Sequence, residues 1–534
     1  MMKRLALAAA AAAMVCSASA AGAETPEEKL ARKEEEKRLG SLYLRCDGNP
    51  NNMSDGENFA RILGAVTLLG IFAKSPEAPD ASKRLFGQAG VDACTQLIDG
   101  EKAETNGLRR IPLILARSLH RIEAKDYRVA LDDVAKARDE AKTLGLVGNP
   151  YFDRSMGLSF DNIEAEALLR LDDVAGAQKA SVRRTEGLAF SYVPLVTART
   201  YLEFRRESEP ETELVLNRLQ RFQPESFFSY ARVLEEQGRF AEAASKFEEV
   251  LKALDELKPE EANSGLYAQT ALSHALAGNW ERARERAEFA RNNIVDRRNR
   301  GVPEDNSSRT VELLDLHDIL QLAHDGNIVQ ARRSFAARSQ WLEPSLGAVM
   351  EANRILREGA PAEELTGMLA HTPDELWKER RDAAMAVKLQ KDTDKDTLFT
   401  LIWPYAKIGE FEGRSKDTWR IAKSKMMSSK PDEDTGLWRI GAFGNRQVTI
   451  DSIVLHSALQ AKAAGKQGFT MMLSLSDIKS YYGSLTFAFV RFVDPDEPGV
   501  SAERYIAADD AIAELRQVIP SPDEIKARKK QKKV

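Results

Sequence analysis

The stretch EEQGRFAEAASKFEEVLKAL, residues 235–254, decides the fold class. After Gly238 most of its apolar residues fall at Phe240, Ala243, Ala244, Phe247, Val250, Leu251 and Leu254, the i, i+3, i+4, i+7 spacing of one helical face. A glycine ahead of such a run ends the preceding helix, because it takes a left-handed backbone without a Cβ penalty. The stretch therefore reads as the turn and second helix of a hairpin. A second copy, Gly278-Asn-Trp280-Glu-Arg-Ala283, matches Gly238-Arg-Phe240-Ala-Glu-Ala243 in its glycine, aromatic and alanine. Looser copies stand at Lys125-Asp-Tyr127-Arg-Val-Ala130, Asp172-Asp-Val174-Ala-Gly-Ala177 and Gly326-Asn-Ile328-Val-Gln-Ala331.

These turns resemble those of tetratricopeptide repeats, in which small residues let paired helices approach and aromatics fill the gaps between neighbours. Gly238, Phe240, Ala243 and Phe247, with Gly278, Trp280 and Ala283, are the repeat-packing residues. The resemblance implies a helical-hairpin solenoid over 101–391, with a groove for a protein or peptide partner. Tyr230-Ala231 stands where the family carries Leu-Gly, and the Ala-to-Ala intervals are 47, 66, 40 and 48 residues, against about 34 in the family. Irregular repeats are therefore expected, and the competing reading is a helical bundle with no superhelical groove. Asn279, Arg282, Arg284, Arg286, Arg297 and Arg298 surround the second copy. Such arrays clamp acidic peptide groups there, so these are the candidate partner-binding residues; solvated helix faces are the alternative.

Composition agrees with a mainly α chain: 534 residues, 43% hydrophobic and 30% charged but only 7% aromatic. Residues 1–23 have a basic start at Lys3 and Arg4, an apolar run from Leu5 to Val15, and small residues before a cut ahead of Glu24. Ala18-Ser19-Ala20 offers a second cut. Cys16 raises a lipoprotein reading, which Val15 before it disfavours. The expectation is an exported periplasmic protein of a Gram-negative bacterium. A net charge of −5, more acidic once Lys3 and Arg4 are removed, argues against a nucleic-acid binder. Cys46 and Cys94 remain in a helical cap over 24–100, and an oxidising compartment favours a disulfide between them over two buried thiols.

Beyond residue 395 the character changes. Short aromatic or β-branched segments, 397–408, 417–427, 436–444, 468–475 and 484–494, read as strands. Helices are expected over 450–465 and 507–517, which together give a smaller C-terminal α/β two-layer domain over 396–520. Residues 438–472 are similar to a core of small proteobacterial envelope proteins and lipoproteins through Gly444, Asn445, Thr449, Val454, Leu459, Ala463, Gly468 and Phe469. That resemblance implies an envelope location, with Thr449 as the helix N-cap and Gly465 as its stop. The tail, 521–534, is Pro-broken and basic and is expected to be disordered, with peripheral envelope contact open to it.

Motifs for nucleotide, acyl-transfer, zinc-protease and redox chemistry are missing from the sequence. Ser476-Asp-Ile-Lys479 lacks the partner motifs a serine acylation site requires. His317 and His324 sit about 10.5 Å apart along one helix, too far to share an ion. The loop Asp47–Asn58 begins like a calcium loop but has Asn52 and Asn58 where the turn glycine and bidentate carboxylate belong. No catalytic, cofactor or metal residue is assigned, and the expected function is a non-enzymatic interaction scaffold. The alternative is an enzymatic or small-ligand activity in 396–520, for which Asp451, His456, Lys462 and Asp477 are the candidate residues.

Overall fold

Each of the five turns picked out by the motif has its first residue in the left-handed region: Lys125, Asp172, Gly238, Gly278 and Gly326, at φ between 60° and 86°. In four of the five the reason is a shared hydrogen-bond pattern at the end of the preceding helix. The Gly238 N–H donates to the Glu235 carbonyl, and the Arg239 N–H donates to Leu234 at 2.9 Å. The same six-residue closure recurs from Asp173 to Leu168, Asn279 to His274 and Asn327 to Leu322. One residue then serves two helices. Arg239, Asn279, Asn327 and Asp173 each also accept, through their own carbonyls, from the N–H of the motif alanine four residues on, the first bond of the next helix, and the Asp126 carbonyl accepts likewise from Ala130. Those alanines, Ala130, Ala177, Ala243, Ala283 and Ala331, are completely buried. At Ala177, Ala243, Ala283 and Ala331 small size lets the second helix close against the first.

The structure, a computed structural model, describes residues 38–531 apart from 52–77, 102, 203, 205, 207–209, 224, 257–263, 302–306, 342–345, 392–394, 406–407, 422–426, 429–430, 434 and 481–482. The expected signal segment 1–23 lies outside the described residues. Among the described residues no helix is long and apolar enough to cross a membrane. In chain order the helices are α1 (Leu42–Asp47), α2 (Gly87–Asp99), α3 (Gly107–Glu123), α4 (Tyr127–Thr143), α5 (Pro150–Asp153), α6 (Met156–Arg170), α7 (Val174–Arg183), α8 (Tyr192–Arg199), α9 (Pro210–Leu219), α10 (Glu225–Glu236), α11 (Phe240–Glu256), α12 (Ser264–Leu276), α13 (Trp280–Asn299), α14 (Ser307–His324), α15 (Ile328–Ala336), α16 (Leu346–Arg357), α17 (Pro373–Lys391), α18 (Lys395–Phe399) and α19 (Ile408–Trp419). After them come β1 (Met427–Ser428), β2 (Trp438–Gly444), α20 (Arg446–Ala463), β3 (Gly468–Ser480), β4 (Gly483–Val493), β5 (Ile506–Ala507), α21 (Ala508–Leu515) and α22 (Pro522–Gln531).

The chain divides into one compact unit ending at Lys125 and another starting at Asp126. In the first, α1 packs on α2 and α3, and Cys46 and Cys94 form a buried disulfide. Beside it His120 puts Nδ1 2.7 Å from Glu123 and Nε2 2.7 Å from the Cys46 carbonyl, while Glu123 also accepts from the Gly87 N–H. Gly90 makes room for that imidazole, since a Cβ there would lie 2.4 Å from the ring. Arg109 binds Asp47 with both terminal nitrogens, so the first carboxylate of the calcium-like loop is already occupied.

In the second unit consecutive helices pack in turn: α10 on α11, α11 on α12, α12 on α13 and α14, and α14 on α15. The array is not open along its length. Helix α16 returns against α10 and α12, where Gly347 allows an approach so close that a Cβ would lie 2.2 Å from the Glu235 carbonyl oxygen.

The C-terminal sheet is antiparallel in the order β1-β2-β4-β3-β5. Ile440, Ala488 and Leu473 stand side by side on the face covered by α20. Its core is continuous with that of the helices: Phe247, Phe222, Tyr192 and Leu195 join Ile453, Val454, Phe469 and Val490 in one buried cluster. The Leu473 N–H even donates to the Phe222 carbonyl, 2.8 Å away, beyond α9. The expected boundary near 396 therefore does not coincide with a break between cores.

Three local expectations are corrected. The described part of 397–408 is not strand, nor is 417–421: Lys395–Phe399 and Ile408–Trp419 are helices, and among the described residues of the second segment Met427 enters the sheet. Buried Phe411, Ser415 and Thr418, spaced i, i+4, i+7, explain why 408–419 coils. Thr449 lies inside α20 rather than at its start, because Asn445 caps it by accepting from the Gln447 and Val448 N–H groups. Gly465 does follow the helix end, at φ 75°. Residues 522–531 of the tail expected to be disordered instead form α22, started by a capping box: Ser521 N–H donates to Glu524, whose own N–H donates back to Ser521 Oγ.

Candidate functional site

The arginines around the second motif copy meet a carboxylate that sequence spacing does not reveal. Glu248, on α11, accepts from Arg286 at 2.9 and 2.7 Å, from Arg282 at 3.2 Å and from His274 at 3.1 Å. Burial opposes ionisation of Glu248, but the hydrogen bonds from His274, Arg286 and Arg282 outweigh it and hold its carboxyl far below the usual range. Arg286 also lies 5.9 Å from the centroids of Tyr267 and Phe289, two rings stacked 5.5 Å apart. Arg282 and Arg286 thus bind α13 to α11 and α12. Asn279 is the N-cap of α13, its Oδ1 accepting from the Arg282 N–H.

Arg284 and Arg298 are placed differently. Both are exposed, and with Arg291 and Val295 they occupy i, i+7, i+11 and i+14 on α13, a single outward stripe. Arg291 pairs with Asp318 at 2.6 Å, and Val295 is 53% exposed. Arg297 is half-buried beside this stripe. On the neighbouring helix His317 is buried and His324 exposed; Trp280 stacks on His324 with centroids 4.3 Å apart, so this imidazole is part of a ring stack.

The residues nominated in the C-terminal segment do not converge. α20 is buried on every side, from Gln447 through Ala461 with only Leu459 partly exposed, so each of its polar groups requires an internal partner. His456 Nδ1 donates to the Thr418 carbonyl at 2.8 Å and Nε2 accepts from Gln460 at 2.7 Å. Burial lowers its pKa, against the pull of the Thr418 carbonyl. Asp451 faces another way, toward Ser191, Gln447 and Arg154. Lys462 is at the exposed end of α20, 2.8 Å from Asp509, on the rim of a polar recess of about 510 Å³. The recess also holds Lys466, which is paired with Asp494 and Glu497. Asp477 lies in the part of β3 whose side chains are outside the described residues. Among the described residues no group of three or more His, Cys, Asp or Glu side chains is arranged to hold a metal ion.

Sequence reasoning missed Glu248, Arg154, Ser191 and Glu514. The only local signal for any of them was Ser191 ahead of an apolar helix, an N-cap residue type. No family model matches the chain, and comparisons with curated proteins and with solved structures found no match.

Proposed function

We propose that the chain is an exported, non-enzymatic scaffold that binds a protein segment on a tetratricopeptide-like helical array in the cell envelope. The observation that carries this reading is the recurrence of one turn, with its left-handed residue and its buried alanine, at five places from 125 to 331. Stacked hairpins of that kind expose one helix face after another, and such surfaces bind extended or helical segments through a few anchors. The return of α16 covers part of α10 and α12. The outward stripe of α13 is therefore the surface assigned to the partner. Arg284 and Arg298 would meet carboxylates and Val295 an apolar side chain between them. The Cys46–Cys94 disulfide is consistent with an oxidising compartment.

The test is capture from a periplasmic extract on immobilised full-length chain, alongside the double variant Arg284→Glu, Arg298→Glu. The expected result is a discrete partner retained by the natural chain and released by moderate salt, with at least tenfold less on the variant. Equal capture by both, or no partner on either, refutes the assignment.

A further inference from the structure

The junction between the helices and the C-terminal sheet is closed by five polar side chains drawn from four places in the chain. Arg154 follows α5, Ser191 directly precedes α8, Gln447 and Asp451 occupy the first turns of α20, and Glu514 lies in the last turn of α21. Ser191 Oγ lies 3.1 Å from both oxygens of Asp451, and Gln447 Nε2 donates to Asp451 at 3.3 Å. Arg154 donates to Glu514 at 3.1 Å, while its Nε stays 3.9 Å from Asp451. Glu514 also accepts from the Phe190 N–H. Asp451 and Ser191 are completely buried and Arg154 is 2% exposed.

The charges do not balance. One guanidinium faces two carboxylates, and its hydrogen bond goes to Glu514, leaving Asp451 a buried anion held by two neutral donors. Among the described residues no other charged group forms a hydrogen bond or ion pair with Asp451. Arg414 on α19 reaches the Phe443 carbonyl, His456 faces Thr418, Lys462 is paired with Asp509 at the far end of α20, Arg199 on α8 reaches Ser229, and Arg439 on β2 covers Phe487. A protonated Asp451 has an acceptor within reach in Ser191 Oγ. Gln447 Oε1, buried without a hydrogen-bond partner, supplies another after rotation of the amide.

We propose that this cluster is a proton-operated clasp: one proton taken up at Asp451 tightens α20 and α21 onto Arg154 and Ser191, and its loss loosens them. Burial, opposed by Arg154 and Ser191 and reinforced by Glu514, pushes the Asp451 carboxyl up to about 7. The raised value fixes the direction. Stabilisation is complete below the ordinary carboxylate range and is lost as pH rises through 7.

Hydrogen exchange of the full chain, corrected for intrinsic exchange rates, tests this in the segments 446–452 and 508–515 from pH 5 to pH 8. The opening equilibrium of those segments should be roughly a hundredfold smaller at pH 5 than at pH 8, tenfold per pH unit below the midpoint. Asp451→Asn should flatten that dependence. Glu514→Gln, which leaves Arg154 to Asp451 alone, should move the midpoint to lower pH, and it serves even if the asparagine variant does not fold. A natural chain whose protection there is independent of pH, or a Glu514→Gln midpoint that does not fall, overturns the clasp.

Discussion

Replacing Phe247 by Ala separates one shared core from two adjoining ones. Phe247 is completely buried and meets Phe228 edge to face with ring centroids 5.4 Å apart. Removing a buried phenyl ring costs about 4 kcal/mol in lost transfer energy and residual cavity, with the ring pair included in that figure. The same cluster holds Ile440, Phe469 and Val490 of the sheet. If the core is one body, the loss must be felt in β2–β4 as well as in α10 and α11. Amides there that exchange only through opening of the whole unit should exchange roughly a thousandfold faster, since about 1.4 kcal/mol is a factor of ten. Urea unfolding followed by far-UV circular dichroism measures the helices, and residue-resolved hydrogen exchange reads the strands. Phe335→Ala is the control, equally buried but in the cluster of α12–α16 around Trp341. Its loss should reach the strands less than the Phe247 loss does. If Phe247→Ala destabilises the helices while β2–β4 protection stays unchanged, the continuous core is refuted.

Four further outcomes follow from single features. Gly238 sits at φ 74° with nothing within 4 Å of a built Cβ, so Gly238→Ala should cost about 1 kcal/mol from backbone strain alone, and Asp172→Gly, at φ 60°, should gain about as much in thermal unfolding. Reducing Cys46–Cys94, which closes a 48-residue separation, should destabilise α1–α3 by about 4 kcal/mol in denaturant titrations while leaving the midpoint of α10–α13 in place. Glu248, whose carboxyl is held low, contributes stability above the ordinary carboxylate range and loses it as pH falls. Glu248→Gln should therefore cost about 2 kcal/mol at pH 7 and show a shallower acid limb than the natural chain in pH-dependent melting.

The turns were legible because their chemistry is local. Six consecutive residues contain the left-handed residue, the shared cap and the first small residue of the next helix, so Asp172 and Lys125 could be recognised even without glycine. The segments 397–408 and 417–427 were misread because Trp403, Tyr405 and Trp419 carry strand-type propensity. What decided 408–419 was the docking of its buried face, Ser415 Oγ donating to the Pro520 carbonyl and Trp419 Nε1 to that of Ile519. That partner lies a hundred residues on. The return of α16 has no periodic signal at all; only Gly347 marks it.

The candidate chemistry failed for a more general reason. A search for Asp, His and Lys in a helix assumes that polar residues mark either the solvent face or a site, and the assumption holds for an amphipathic helix. α20 has no solvent face over most of its length, so its Asp451, His456, Ser452 and Ser457 each had to find a partner inside the protein. Ser452 and Ser457 satisfy that locally, each donating to a carbonyl four residues back, whereas Asp451 depends on Arg154 and Ser191, roughly 260–300 residues away. A helix in which polar side chains recur at every angle around the axis, bounded by good caps, is thus a signature of central burial with distant polar partners. The sign of its least balanced member then predicts where the fold responds to pH, and in this chain that member is Asp451, facing one guanidinium shared with Glu514.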